Sequence, residues 1–445
     1  MKLYSTKNKA FVVDLERAIM EGLPPDNGLY MSKIKPLPIT FWEKFEENSF
    51  QENSFQIAKH LFEGSIPDEK LAEITYDAIN FPAPNYLLND DIATLELFHG
   101  PSLAFKDFGA RFMSRIMQYY NGENKQELII LVATSGDTGG AVAFGFHHVP
   151  GISVIILYPK GKVSELQEKQ LTTLGGNVHA LEIDGTFDDC QALVKEAFLD
   201  KDLNAHLRLS SANSINIARL IPQSFYYFES YRQISENTRK TKNITYVVPS
   251  GNFGNITAGL IAKQLGLPIH HFIAATNVNK IVPDYLTTGE YVAKPAIRTL
   301  SNAMDVGNPS NFPRILDLYE SNSKECSTWN NVKNEITGIA VDDTQTESAL
   351  KEVYQSYNYI IDPHGAVGYY ALKEYMKTHT DTYGIILETA HSSKFKPDVE
   401  RILDRPIDVP ERLSILANKE KVSIEMDIKY EGFKNQLLST FNVKK

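Results

Sequence analysis

The sequence predicts an α/β fold: two parallel-sheet-containing lobes with helices on both faces, preceded by a small, mostly helical N-terminal domain. Two observations carry this. From about residue 125, short β-branched runs alternate with Gly/Ser turns and helical patterns, in "ELIILVATSGDTGGAVAFGF", "ISVIILYPKG", "NVHALEIDGTFDDCQALVKEAF", "ITYVVPSGNFGNITAGLIAKQLG" and "IHHFIAATN". Strands that are continuously apolar are covered on both faces, as in a parallel sheet. Before residue 85, by contrast, "ITFWEKFEENSFQENSFQIAKHLFEG" places aromatics at roughly helical spacing.

Taken in order, residues 1–85 form the N-terminal domain, with a Pro/Gly turn cluster at "EGLPPDNGLYMS". The echo "ENSFQENSF" is five residues long, too short for a repeat architecture. Residues 86–430 form the α/β region. No linker or low-complexity segment divides residues 90–400, so its two lobes share one core. A last strand, "YGIILETAHSSKF", closes the series, and residues 431–445 read as a C-terminal tail.

Composition narrows the function. The chain has 445 residues, with 45 Lys and Arg against 55 Asp and Glu, a formal charge of −10. That balance disfavours a nucleic-acid partner, while a local cluster can still hold a small anion. Cys190 and Cys326 are too few for a disulfide scaffold and lack zinc-site spacing, so both are expected as free core thiols and no metal is expected. No apolar run reaches secretory or membrane-spanning length, and a soluble cytosolic protein is expected.

Ligands of open α/β sheets collect where strands turn into helix starts. "ATSGDTGG" (133–140) offers hydroxyls at Ser135 and Thr138, with glycines that permit close backbone approach. "PSGNFGN" (249–255) repeats the arrangement and suits a phosphate without any lysine. It lacks a P-loop ending and a dinucleotide fingerprint. Each loop can also be read as a βα turn that needs glycine for its geometry. "ETAHSSKF" (388–395) offers Thr389 and other polar groups, and reads equally as a helix-capping sequence.

In "FHGPSLAFKDFGARF", Lys106 stands among Phe98, Leu103, Phe105, Phe108 and Phe112. One reading is a surface lysine with an apolar stem, beside Asp107 in a solvated turn. The other is a desolvated lysine of lowered pKa, an amine nucleophile for a carbonyl. Such an amine near a metal-free phosphate cradle is what a Schiff-base cofactor such as pyridoxal phosphate requires.

"HGPSLAFKDFGARFM", "ATSGDTGGA", "NSINIAR", "PSGNFGN", "AATN", "AMDVGNPSNFPRI" and "DPHGAVG" occur in this order. Together they resemble the threonine synthase family, pyridoxal-phosphate enzymes of the tryptophan synthase β-like fold (fold type II). The resemblance runs from near residue 22 to near residue 395. It implies conversion of O-phospho-L-homoserine and water to L-threonine and phosphate, by γ-elimination and β-addition of water, the last step of threonine biosynthesis. Lys106 would hold the cofactor and shuttle protons at Cα and Cβ. Gly251, Asn252, Phe253, Gly254 and Asn255 would grip the cofactor phosphate, Asp137 would lie by its ring hydroxyl and Thr389 by its ring nitrogen. Ser135 and Thr138 would take the substrate carboxylate, and Ser214, Asn216 and Arg219 the departing phosphate.

This sequence departs from the family pattern at Ser102, expected as threonine, at Gly365, often threonine, and at Asp137, often asparagine. The alternatives are a threonine or serine dehydratase of the same fold, or an inactive relative that binds phosphorylated ligands. A monomer or homodimer is expected. Gly109 is expected to let the lysine helix lie close to the cofactor ring.

Overall fold

The computed structural model describes residues 1–122, 126–321 and 327–441. Among the described residues, fourteen strands form three sheets. The N-terminal region folds Lys2–Ser5 (β1), Val12–Asp14 (β2) and Tyr30–Met31 (β3) into an antiparallel sheet of order β2-β1-β3. This small sheet has no counterpart in the sequence reading, because strands of two to four residues show too few turns of any period. The rest of the region is helical as expected. Its main helix, Phe50–Phe62, is capped by Ser49, whose hydroxyl accepts from the Glu52 amide at 3.1 Å.

The larger sheet joins Asn85–Leu87 (β4), Ile92–Glu96 (β5), Asn243–Pro249 (β10), His271–Thr276 (β11), Ile336–Ala340 (β12) and Thr382–Glu388 (β13). Its order is β12-β11-β10-β13-β5-β4, parallel except for β4. The second sheet joins Leu128–Ala133 (β6), Ile152–Pro159 (β7), Val178–Ile183 (β8), Arg208–Ser211 (β9) and Ile424–Met426 (β14). Its order is β14-β8-β7-β6-β9, all parallel. Every residue of β6 and β7 is buried, which explains their almost continuously apolar sequence, broken only by Ser153 in β7. Each buried Ile or Leu there contributes about 2 kcal/mol of apolar transfer.

The two large sheets are the two expected lobes, and the carboxyl ends of β6, β10 and β13 carry the three candidate loops. The lysine helix, Lys106–Asn121, links them to the N-terminal region: its Phe108 meets Phe50 and Phe81, and its Phe112 meets Phe62.

In its described part, the expected C-terminal tail is a helix, Tyr430–Thr440. It buries Phe433, Leu437 and Leu438 in a cluster with Cys190 and Leu193, while β14 extends the edge of the same lobe. Residues 442–445 lie outside the described residues. Cys190 is a free, buried thiol, and Cys326 lies outside the described residues. Among the described residues, no helix is long and apolar enough to cross a membrane.

Candidate active site

Lys106 opens its helix directly after a loop held in an unusual shape. Leu103 has a left-handed backbone (φ 59°), a conformation that is costly for a side chain branched beyond Cβ. The loop is fixed by antiparallel pairing with the end of β13. Phe105 N–H donates to the Thr389 carbonyl at 2.9 Å and His391 N–H donates to the Leu103 carbonyl at 3.1 Å. Lys106 and Thr389, far apart in sequence, are thereby brought together. Asp107 is fully buried and accepts from the Ser102 amide at 2.9 Å. A Cβ on Gly100 would lie 2.4 Å from its carboxylate, so glycine leaves the room it needs. Burial pushes Asp107 up to about 6. The solvated turn considered for Lys106 and Asp107 is therefore not what forms.

Lys106 is half-buried, and its ammonium is desolvated by the surrounding protein. It makes no ion pair or hydrogen bond among the described residues, and its Nζ lies 5.7 Å from the Phe105 ring centroid. Desolvation lowers Lys106 to about 8; Asp137 opposes that shift, while Arg219 and Lys394 add to it. The sequence credited Phe108 and Phe112 with the desolvation. Both instead pack among the aromatics of Phe50, Phe62, Phe81, Phe225 and Tyr226, on the side of the N-terminal region.

At the end of β6, the Thr134 hydroxyl accepts from the amides of Gly136 (3.0 Å) and Gly139 (2.8 Å), folding the loop before the helix Asp137–Phe146. Gly136 has φ 139°, which requires glycine. Ser135 and Thr138 are half-buried and make no side-chain hydrogen bond among the described residues. Asp137 is buried and ion-paired to Lys394 at 2.6 Å, with Gln167 Nε2 donating at 3.0 Å. Burial alone would raise this carboxyl. Lys394 and then Lys106 outweigh it and hold Asp137 well below the usual carboxylate range.

The third loop ends β10. Phe253 caps the helix Gly254–Gln264 in the left-handed region (φ 61°), turning the chain so that successive amides open the helix. First-turn amides have no carbonyl one turn back and can receive an anion. Two side chains brace the loop. Asn255 Nδ2 donates to the Pro249 carbonyl at 2.8 Å, and Asn252 Oδ1 accepts from Ser310 Oγ at 3.1 Å. A Cβ on Gly251 would lie 2.4 Å from the Ala303 carbonyl. Gly254 faces Ser214 and Asn311, and Asn311 Nδ2 donates to Ser214 Oγ at 3.1 Å. The segment "AMDVGNPSN" thus buttresses the cradle, with Ser310 and Asn311 as contacts that no residue-by-residue reading had assigned.

Asn216 has an internal task rather than an open face. Fully buried, it caps the helix Ile217–Leu220 by accepting from Ala218 N–H at 3.0 Å and donates to the Ile19 carbonyl at 2.8 Å. Its effect falls on Arg219, which is 2% exposed and donates to the Ala212 carbonyl at 2.6 Å. Arg219 Nε has no hydrogen-bond partner among the described residues. Desolvation lowers this guanidinium to about 10, against the attraction of Asp107. A Cβ on Gly109 would lie 2.7 Å from the Arg219 carbonyl and 3.0 Å from its Nε. Gly109 therefore admits Arg219 beside the lysine helix; that is the close approach it serves.

Gly365 also finds a reason. A Cβ there would lie 1.8 Å from Glu388 Oε2, so a threonine cannot stand opposite this buried glutamate. Glu388 Oε1 accepts from Asp362 N–H at 2.6 Å, and Asp362 Oδ1 faces His364 Nδ1 at 2.6 Å. His364 Nε2 accepts from Ala303 N–H at 3.2 Å, so Nδ1 carries the proton toward Asp362. Burial and then Asp362 push Glu388 well above the usual carboxylate range.

The donor set fits pyridoxal phosphate. A buried, unpaired amine suits its aldehyde, a glycine-bearing helix start suits its phosphate, and a neutral threonine hydroxyl stands on the strand end paired to the lysine loop. Comparison with known proteins agrees. Residues 85–386 match the pyridoxal-phosphate dependent enzyme model, residues 2–79 the threonine synthase N terminus, and residues 365–436 the threonine synthase C-terminal model. A threonine synthase of Haemophilus influenzae is 44% identical over 99% of this chain and 100% of its own. The crystal structure of threonine synthase from Escherichia coli superposes with a TM-score of 0.91 at 42% identity, covering 99% of this chain and 100% of that one. The pyridoxal-phosphate-bound threonine synthase of Brucella melitensis also gives 0.91, at 31% identity and 98% coverage of both chains. The chain, with Lys106 and its three loops at the ends of parallel strands, belongs to the threonine synthase family of pyridoxal-phosphate dependent enzymes.

Proposed function

We propose that this chain converts O-phospho-L-homoserine and water to L-threonine and phosphate. The observation that carries the choice of substrate is Arg219: a buried guanidinium with an unpartnered Nε, packed against Gly109 less than one turn from Lys106. A buried cation of fork geometry has a use where a phosphate leaves. A dehydratase acting on a hydroxyl substrate has no such group to receive.

Bound pyridoxal phosphate supplies an electron sink that acidifies the carbon bearing the substrate amine. The amides of Gly251, Asn252, Phe253, Gly254 and Asn255 would hold its phosphate, with Asn252 and Asn255 also bracing the loop through their side chains. Thr389 would take the ring nitrogen and Asp137 the ring hydroxyl. Ser135 and Thr138 bind the substrate carboxylate with the first-turn amides of their helix. Lys106 Nζ, lowered to about 8, can take a proton at Cα near neutral pH and return it. The same nitrogen serves Cβ, where one proton leaves before the γ-phosphate departs and water adds afterwards. Ser214 and Arg219 receive the departing phosphate, and Asn216 positions Arg219.

A boundary near residue 85, with residues 86–430 carrying the reaction, belongs to the same proposal, as do a cytosolic location and a monomeric or homodimeric state. The test is to supply O-phospho-L-homoserine to the cofactor-loaded protein and follow phosphate and amino-acid products together. Equimolar phosphate and threonine are expected. Ketobutyrate as the main product supports a dehydratase instead, and binding without turnover supports an inactive relative.

A further inference from the structure

Lys394 is the one fully buried lysine of the described residues. It lies in the short turn Ser392–Phe395 that follows β13, and so belongs to the larger-sheet lobe. Its contacts reach across. Nζ pairs with Asp137 Oδ1 at 2.6 Å, on the helix that follows β6, and donates to the Ser102 carbonyl at 2.9 Å in the lysine loop. Its own carbonyl accepts from Ser164 Oγ at 3.0 Å, again from the second lobe. Gln170 Nε2 donates to the same Ser102 carbonyl at 2.9 Å. One side chain thus joins both lobes and the loop that presents Lys106.

The neighbourhood holds three cations, Lys106, Lys394 and Arg219, and two buried carboxyls, Asp137 and Asp107. A carboxylate out of water takes a cation at hydrogen-bond distance where one is available. Asp137 has two candidates, and the geometry awards it to Lys394, since Lys106 makes no ion pair among the described residues. We infer that Lys394 is a positioning residue: by occupying Asp137 it keeps Lys106 as the unpaired nitrogen of the cluster, available as an amine.

The inference rests on the proposed role of Lys106 and deepens it. Without Lys394, Asp137 is left with Lys106 as its nearest cation, and an ammonium held by a carboxylate is a poor nucleophile and base. The groups facing Lys106 are Asp137 from the helix after β6, Arg219 from the helix Ile217–Leu220 and Lys394 from the turn after β13. Of these, only Lys394 is placed to neutralise Asp137 directly.

The test uses the full chain stripped of cofactor. Reductive methylation of Lys106 is measured by peptide mass spectrometry across a pH series, which reports the free amine without any turnover. In Lys394→Met the midpoint is expected to rise by about one pH unit, a tenfold loss of free amine at neutral pH. Lys394→Arg is expected to stay near the native midpoint, and the double variant Lys394→Met with Asp137→Asn is expected to lose the rise. Identical midpoints in the native chain and Lys394→Met overturn the inference. Should Lys394→Met fail to fold, Asp137→Asn alone is expected to lower the midpoint, and no change there overturns it. Failure of the underlying reading looks different: cofactor then fails to attach at Lys106 in the native chain at every pH.

Discussion

Asp137 and Glu388 are both carboxyls taken out of water, one at the start of a helix in the second lobe, the other at the end of β13. They are pushed in opposite directions. Asp137 has Lys394 at 2.6 Å and is held well below the usual carboxylate range, whereas burial and then the neighbouring Asp362 push Glu388 well above it. Burial is common to both, so the partner decides the outcome. The pair with a cation sits where chemistry is proposed, and the carboxyl pair lies at the end of β13, opposite Gly365. The same principle lets Lys106 be a free amine only because another ammonium has the carboxylate.

The largest expected effect comes from removing the nitrogen itself. Lys106→Ala is expected to lower kcat by about 10³-fold or more, with loss of borohydride-reducible absorbance at the visible band. A retained reducible absorbance contradicts the assignment of the attachment point. Arg219→Gln follows, with an expected loss of about 10²-fold in kcat/KM for the phosphorylated substrate and unaltered cofactor absorbance. A loss confined to cofactor binding places the guanidinium with the wrong phosphate.

On the carboxyl side, Gly365→Ala forces a methyl to within 1.8 Å of Glu388 Oε2. A loss of about 2 kcal/mol in urea unfolding is expected, and Glu388→Ala in the same chain is expected to recover part of it. Equal losses with and without Glu388 remove that explanation for the glycine.

The smallest effect concerns pH. Glu388 has its folded-state value raised, so its contribution to stability is full below the ordinary glutamate value and is lost as pH rises through the folded one. Asp137 runs the other way, its contribution being lost on acidification. Glu388→Gln is therefore expected to flatten the fall in urea midpoint as pH rises above the ordinary glutamate value. An unchanged slope means that Glu388 does not carry the proton.

What the sequence revealed follows from how local each cause is. The runs "LIILVA", "ISVIILYP" and "TYGIILE" are legible as buried parallel strands because burial on both faces leaves its mark residue by residue. Short or half-polar strands such as "RLSS" and "ITGIA" leave no such mark. Lys106 and the cradle glycines are legible through their loops. Lys394 stood in full view in "ETAHSSKF", yet its burial depends on Asp137 in the other lobe, a pairing that no local pattern encodes. Gly365 and Gly109 likewise make sense only once Glu388 and Arg219 arrive opposite them. Phe108 and Phe112 show the converse error: adjacency in sequence to Lys106 is not adjacency in space, since a helix sends i and i+2 to different sides.

The second lobe borrows its edge strand, β14, and its covering helix, Tyr430–Thr440, from the far side of the chain. Its other strands are complete by Ser211. During synthesis, therefore, β8 stands as an open edge, and the apolar face around Cys190 stays uncovered, until residues 424–440 leave the ribosome. Residues 212–423, with four of the larger sheet's strands, β10 to β13, are made in that interval. The last lap of the chain thus acts as a latch on a unit begun much earlier, and a break just before residue 424 leaves an adhesive edge rather than a trimmed enzyme.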